Sequence, residues 1–227
     1  MNGYVAVAID GPAGAGKSTL AKAAAKELGY TYADTGAIYR TVGLACLRRG
    51  IDPLDTKAVS ALLPELQIGF SHDETGSQHM VLNGEDVESL IRTPPVSEAA
   101  SRVSSLGEVR SYLLAMQRSL AETENVIMDG RDIGTVILPR AEVKIYLTAS
   151  AESRAHRRYL ELCAKGETCT ESEVLEDICA RDHRDMTREV APLRRAEDAV
   201  LLDTSCMCLE ESLQELLRII RTGADLT

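Results

Sequence analysis

The 227-residue chain has no Trp, one Phe and seven Tyr, so aromatic platforms on which nucleic-acid bases stack are scarce. It also lacks a basic excess: 25 Lys and Arg stand against 35 Asp and Glu, a formal charge of −10. A protein that tracks a nucleic-acid backbone carries the opposite balance, which argues against polyanion binding. No apolar run has the length that crosses a bilayer, and no charged leader with a cleavage site opens the chain, so a soluble, unprocessed protein is expected. The six cysteines (Cys46, Cys163, Cys169, Cys179, Cys206, Cys208) form no CxxC pair and no regular framework, which fits a reduced, cytoplasmic protein. A zinc site drawn from Cys163, Cys169, Cys179 and His183 would have spacings unlike those of metal knuckles.

What is present is more specific. Gly11-Pro12-Ala13-Gly14-Ala15-Gly16-Lys17-Ser18 fits the phosphate-loop pattern, and Thr19 follows it into an Ala-rich helix that Gly29 stops. The apolar run 5–9 before it reads as a buried strand. Glycines let the backbone turn its N–H groups onto an anion, and the helix start adds its positive dipole end. Lys17 is placed to reach the outer phosphates, and the Ser18 hydroxyl can ligate the Mg²⁺ that a nucleoside triphosphate carries. ATP binding is expected; the loop alone does not separate hydrolase, switch and kinase.

Short apolar runs at 5–9, 30–33, 126–128, 143–147 and 199–202 alternate with helical patterns at 37–49, 108–123, 151–163, 171–188 and 209–221. This predicts an α/β fold with a parallel sheet of about five strands and helices on both faces. From 66 to 87 the period changes to two, with turn signals at Asp73-Glu74-Thr75-Gly76-Ser77 and Asn83-Gly84. A small three-stranded antiparallel insertion over 56–105 is predicted, set into a core of 1–55 and 106–227. Residues 222–227 read as a frayed end.

Ligands of such sheets bind beyond the carboxyl ends of the strands. There the sequence places Asp10, then Asp34-Thr35-Gly36-Ala37-Ile38-Tyr39-Arg40, then Asp129-Gly130-Arg131-Asp132-Ile133-Gly134-Thr135. Turn punctuation accounts for Asp34 as a helix cap and Gly130 as a turn residue, but not for Arg40 and Arg131. Arg154, Arg157, Arg158, Arg181, Arg184, Arg188, Arg194 and Arg195 add a concentration suited to small phosphates, although any one of them also fits a solvated helix face. No Asn/Thr-Lys-x-Asp segment for reading guanine is present, since Thr56-Lys57-Ala58-Val59 lacks the aspartate. Val126-Ile127-Met128-Asp129 is followed by Gly130 and not by the second acid of a motor ATPase. A second rim rich in arginine suits phosphoryl transfer between two bound molecules. Transfer to another small acceptor, and a module that only senses ATP or binds RNA, stay open at this level.

Taken together, the phosphate loop led by Asp10, the Asp34 to Arg40 and Asp129 to Thr135 segments, and Arg181-Asp182-His183-Arg184-Asp185 with Ala191-Pro192-Leu193 closely resemble bacterial cytidylate kinases. These belong to the nucleoside monophosphate kinase group of P-loop kinases, and the 66–87 stretch looks like their enlarged monophosphate-binding domain. The resemblance implies transfer of the γ-phosphate of ATP to CMP or dCMP, with Mg²⁺, by a protein read here as a monomer. It implies that Ser101, Arg110 and Asp132 read the base. From the residues alone, Ser101 and Arg110 are ordinary helix-surface positions. It implies that Arg40 and Arg131 hold the acceptor phosphate with Arg188 joining on closure, and that Asp185 and Arg181 meet the sugar. Asp34, Thr35 and Tyr39 fall in the acceptor-binding segment. A short lid over 162–170 is implied, with Arg154 and Arg158 of the preceding helix reaching the transferring phosphate and Asp129 holding Mg²⁺ through water. Two residues depart from the family pattern: Thr35 stands where Ser is common, and Ser18 where Gly is common.

Overall fold

The computed structural model describes residues 3–72 and 78–225. Five strands, β1 (Ala6–Asp10), β2 (Thr31–Asp34), β6 (Val126–Gly130), β7 (Val143–Thr148) and β8 (Val200–Asp203), form one sheet in the order β2-β6-β1-β7-β8. β1 pairs in parallel with β6 and β7, and β7 in parallel with β8. All five strands lie within a residue or two of the predicted runs. β1 and β6 are buried along their whole length, which is why they read as continuous apolar runs without alternation.

Four helices accompany this sheet: α1 (Lys17–Leu28) and α8 (Leu209–Gly223) pack on its strands, and α6 (Ala151–Ala164) and α7 (Glu171–Thr187) pack on each other through Ala155, Val174 and Ile178. α8 lays Leu216, Leu217, Ile219 and Ile220 into an apolar cluster with Ile9, Leu20, Ile127 and Ile145. Full burial of one such side chain contributes roughly 1.5–3 kcal/mol, so this face alone explains why α8 stays on the sheet. α7 opens on a reciprocal cap: Thr170 Oγ1 accepts the Glu173 N–H at 3.2 Å, and Glu173 Oε2 accepts the Thr170 N–H at 2.7 Å.

The chain divides into two compact units, one of described residues up to Ala33 and from Leu120 onward, the other Asp34–Ser119. The second is wider than 56–105 because it takes α2 (Thr35–Arg48) and most of α5 (Gly107–Thr123) into its own core. That core gathers Ile38, Val42, Val59, Met80, Ile91, Val103 and Leu113. It also holds α3 (Thr56–Leu62) and α4 (Pro94–Val103). α2 and α4 approach so closely that a Cβ on Gly43 would stand 2.9 Å from the Ala100 nitrogen. The antiparallel sheet is β3 (Ile68–His72), β4 (Gln78–Leu82) and β5 (Glu85–Asp86). Asn83 and Gly84, both at positive φ (51° and 85°), make the two-residue turn between β4 and β5. The other predicted turn, Asp73 to Ser77, lies outside the described residues, as do Leu226 and Thr227 of the predicted frayed end.

Candidate functional site

In the first unit the phosphate loop joins β1 to α1, as its flanking patterns require. Gly11 cannot be replaced without moving the sheet: its φ is 155°, and a Cβ there would overlap the Leu147 carbonyl oxygen. Lys17 is buried at the start of α1 and donates from Nζ to the Pro12 carbonyl at 2.7 Å. Burial first, then the nearby Arg131 guanidinium, push its ammonium well below the ordinary range, while Asp129 pulls the other way. Ser18 Oγ donates to Asp129 Oδ2 at 2.9 Å, and Tyr32 donates to Asp129 Oδ1 at 2.9 Å. Thr19 is exposed.

The loop after β6 is fixed from β1. Asp10, buried, accepts the Ile133 N–H at 2.7 Å and the Gly134 N–H at 2.8 Å, one on each carboxylate oxygen. Burial raises its carboxyl to about 6 against those two bonds, and the Asp132 charge adds to the rise. The residues expected as open loop after Asp132 make a single π-helical turn, Ile133–Ile137, because the Ile137 N–H reaches back to the Asp132 carbonyl at 3.2 Å.

Three arginines of this unit are each held by an aspartate. Arg131 Nε donates to Asp185 Oδ2 at 2.7 Å, Arg154 Nη1 pairs with Asp182 Oδ2 at 2.7 Å, and Arg188 Nη2 reaches Asp132 Oδ1 at 3.3 Å. Asp185 is pushed up by burial, but Arg131, Arg181 and Arg188 outweigh this and hold it below the usual carboxylate range. Arg154 is bound as tightly to the backbone: Nε donates to the Ala149 carbonyl and Nη1 to the Ala13 carbonyl of the phosphate loop, both at 2.9 Å. Arg158, expected beside it, is exposed and pairs with Glu161 at 3.0 Å. The expected lid falls on the end of α6 and the connection to α7, where the Glu167 N–H bonds the Leu162 carbonyl at 3.1 Å.

The second unit holds the other predicted residues: Asp34, Thr35, Tyr39, Arg40, Ser101 and Arg110. Asp34 caps α2, its Oδ1 accepting the Ala37 N–H at 2.8 Å, and its Oδ2 pairs with Arg40 Nη2 at 2.7 Å. Arg92 Nη1 reaches the same Oδ2 at 3.1 Å. Burial would raise the Asp34 carboxyl, yet the two guanidiniums and the Ala37 N–H outweigh it and hold it low. Arg110 is buried with its guanidinium 5.5 Å from the centre of the Tyr39 ring and one nitrogen 3.2 Å from the Ser104 carbonyl. Ser101 is half-buried on α4.

Arg92 and Tyr32 carry no sequence signal that would have selected them, their partners being 58 and 97 positions away; Asp182 stood within a quoted segment, but its pairing with Arg154, 28 positions away, was not visible. Asp10 was visible as a strand-end acid, but its hold on the β6 loop was not. Chemically, guanidiniums and a lysine beside a phosphate loop can bind and neutralise several phosphate oxygens. Among the described residues no group of three His, Cys, Asp or Glu is arranged to hold a metal ion by itself.

A family model described as cytidylate kinase matches residues 7–222. The cytidylate kinase of Carboxydothermus hydrogenoformans is 51% identical over 214 residues, 94% of this chain and 96% of that protein. That of Caldicellulosiruptor bescii is 52% identical over 213 residues, 94% of each chain. Among solved structures, an uncharacterised protein from Eubacterium ventriosum is similar with a TM-score of 0.51 at 11% identity, covering 96% of this chain and 98% of its own, a likeness of fold alone. The phosphate loop and its arginines thus sit in a chain that belongs, over almost its whole length, to the cytidylate kinase family.

Proposed function

We propose that this protein transfers the γ-phosphoryl group of ATP to CMP or dCMP, giving ADP and CDP or dCDP, in the cytoplasm. The observation that carries the reading is the set of guanidiniums of Arg131, Arg154 and Arg188 around the phosphate loop, each held by an aspartate. An alcohol acceptor needs a general base beside its hydroxyl, whereas an acceptor phosphate is already anionic near neutral pH and needs only charge neutralisation and in-line placement. Lys17 and the backbone N–H groups of the Gly11 to Thr19 segment, Pro12 having none, bind the donor phosphates. Ser18 and Asp129 would hold Mg²⁺, the latter through water; their mutual contact at 2.9 Å supports this. An ion that keeps several waters and takes phosphate oxygens needs few protein ligands, so one hydroxyl and one carboxylate fit it. When bound, Mg²⁺ neutralises charge on the donor oxygens.

Arg40 and Arg131 bind the acceptor phosphate, with Arg188. Asp185 and Arg181 meet the sugar, and Ser101, Arg110 and Asp132 read cytosine, whose exocyclic amine donates to a carboxylate. Asp34, Thr35 and Tyr39 complete the acceptor segment. Arg154, tied to the Ala13 carbonyl, steadies the loop while lending its charge. Arg158 turns to the transferring phosphate from its exposed position.

Chromatographic analysis of products from ATP, Mg²⁺ and CMP tests this. CDP and ADP are expected in equal amounts; ADP with orthophosphate and no CDP would overturn it in favour of hydrolysis.

A further inference from the structure

Arg92 is the one guanidinium in the second unit's acidic and basic cluster to which neither motif nor resemblance gave a role. Its backbone is held firmly. Leu90–Arg92 form one 3₁₀ turn in which the Leu90 and Ile91 N–H groups both bond the Val87 carbonyl at 3.0 Å, and Ile91 is wholly buried in the core. Its side chain is gripped on two sides: Nε and Nη2 donate to Glu88 Oε1 at 3.0 and 2.7 Å, and Nη1 reaches Asp34 Oδ2 at 3.1 Å.

The Asp34 carboxylate therefore has its Oδ1 committed to the Ala37 N–H and its Oδ2 shared by two guanidiniums, Arg40 and Arg92. One carboxylate shared by two guanidiniums neutralises neither fully. Arg40 also keeps its buried Nε without a hydrogen-bond partner, so its donors are not spent. With Arg92 absent, Asp34 and Arg40 would be a one-to-one ion pair, and an arriving oxyanion would have to displace the carboxylate outright.

We propose that Arg92 is a positioning residue for acceptor binding: by taking a share of the Asp34 carboxylate, it fixes that carboxylate and leaves the Arg40 guanidinium charged and available to the phosphate of the acceptor nucleotide. The inference rests on the reading that Arg40 holds that phosphate. It predicts a change in acceptor affinity with little change in the chemical step, a split that a merely structural role would not give.

The test is steady-state kinetics of the full chain carrying Arg92→Ala, Arg92→Lys or Arg40→Ala, with thermal melts alongside. Arg92→Ala is expected to raise KM for CMP about tenfold while kcat and KM for ATP stay within about twofold, and Arg92→Lys, which restores the positive charge, to recover most of the loss. If Arg92→Ala melts early, Arg92→Met keeps the stem and is read in the same way. An unchanged KM for CMP in the Arg92 variants, with a raised one in Arg40→Ala, would overturn this inference and leave the reading of Arg40 standing. An unchanged KM for CMP in Arg40→Ala would overturn that reading itself.

Discussion

Asp10 ties the end of β1 to the two N–H groups that follow Asp132, and it does so as a carboxylate buried to 4% exposure. Its folded-state value of about 6 lies above the ordinary 3.8. Between those values the native chain keeps a proton that the unfolded chain has lost. Stability therefore falls as pH rises through this window and levels off above it. The size is about 3 kcal/mol, from roughly two units at 1.36 kcal/mol each. Urea unfolding of the wild type and Asp10→Asn at pH 4 and pH 7 checks this: the wild type should lose stability relative to the variant by about that amount, and a difference independent of pH would count against it. Lys17 has the contrary profile of burial without a structural anchor beyond one carbonyl. Lys17→Ala should keep its melting temperature while kcat drops by about a hundredfold or more, since a charge aimed at developing phosphate oxygens is removed. Near-normal turnover would remove Lys17 from the mechanism.

At the scale of elements, legibility followed locality. The phosphate loop, the five core strands and the Asn83-Gly84 turn rest on contiguous patterns whose physics is local: buried apolar runs, positive φ, a helix start. Arg92 could not be found this way, because its carboxylate partner Asp34 lies on another element and only the packing of α2 brings them together. The π-helical turn at Ile133–Ile137 was likewise hidden, the Ile133 N–H at its start being held by Asp10 from a strand 123 residues away. Of the site, residue types and strand-end positions were legible, and the aspartate partner of each arginine was not. One local device invites a direct check. Thr170→Ala removes the cap of α7 and should cost about 1 kcal/mol in unfolding free energy. Because Arg181, Asp182 and Asp185 lie about three to four turns further along α7, kcat should change little; a large loss of activity would show that the start of α7 takes part in turnover.

For the whole molecule, the balance of −10 and the local wealth of arginine are reconciled by pairing. Asp34, Asp132, Asp182 and Asp185 each hold a guanidinium, so positive charge is concentrated for small phosphates without a basic surface. Each compact unit carries its own apolar core, one around Ile9, Ile127 and Leu216 and the other around Ile38, Met80 and Ile91. The family match spans both. The most direct measurement is kcat/KM for ADP release with ATP and Mg²⁺ against CMP, dCMP, UMP, AMP and GMP, beside a control without acceptor. Fast release with CMP and dCMP, slower release with UMP and none without acceptor is the predicted result; equal release with AMP or GMP, or release without any acceptor, would contradict it.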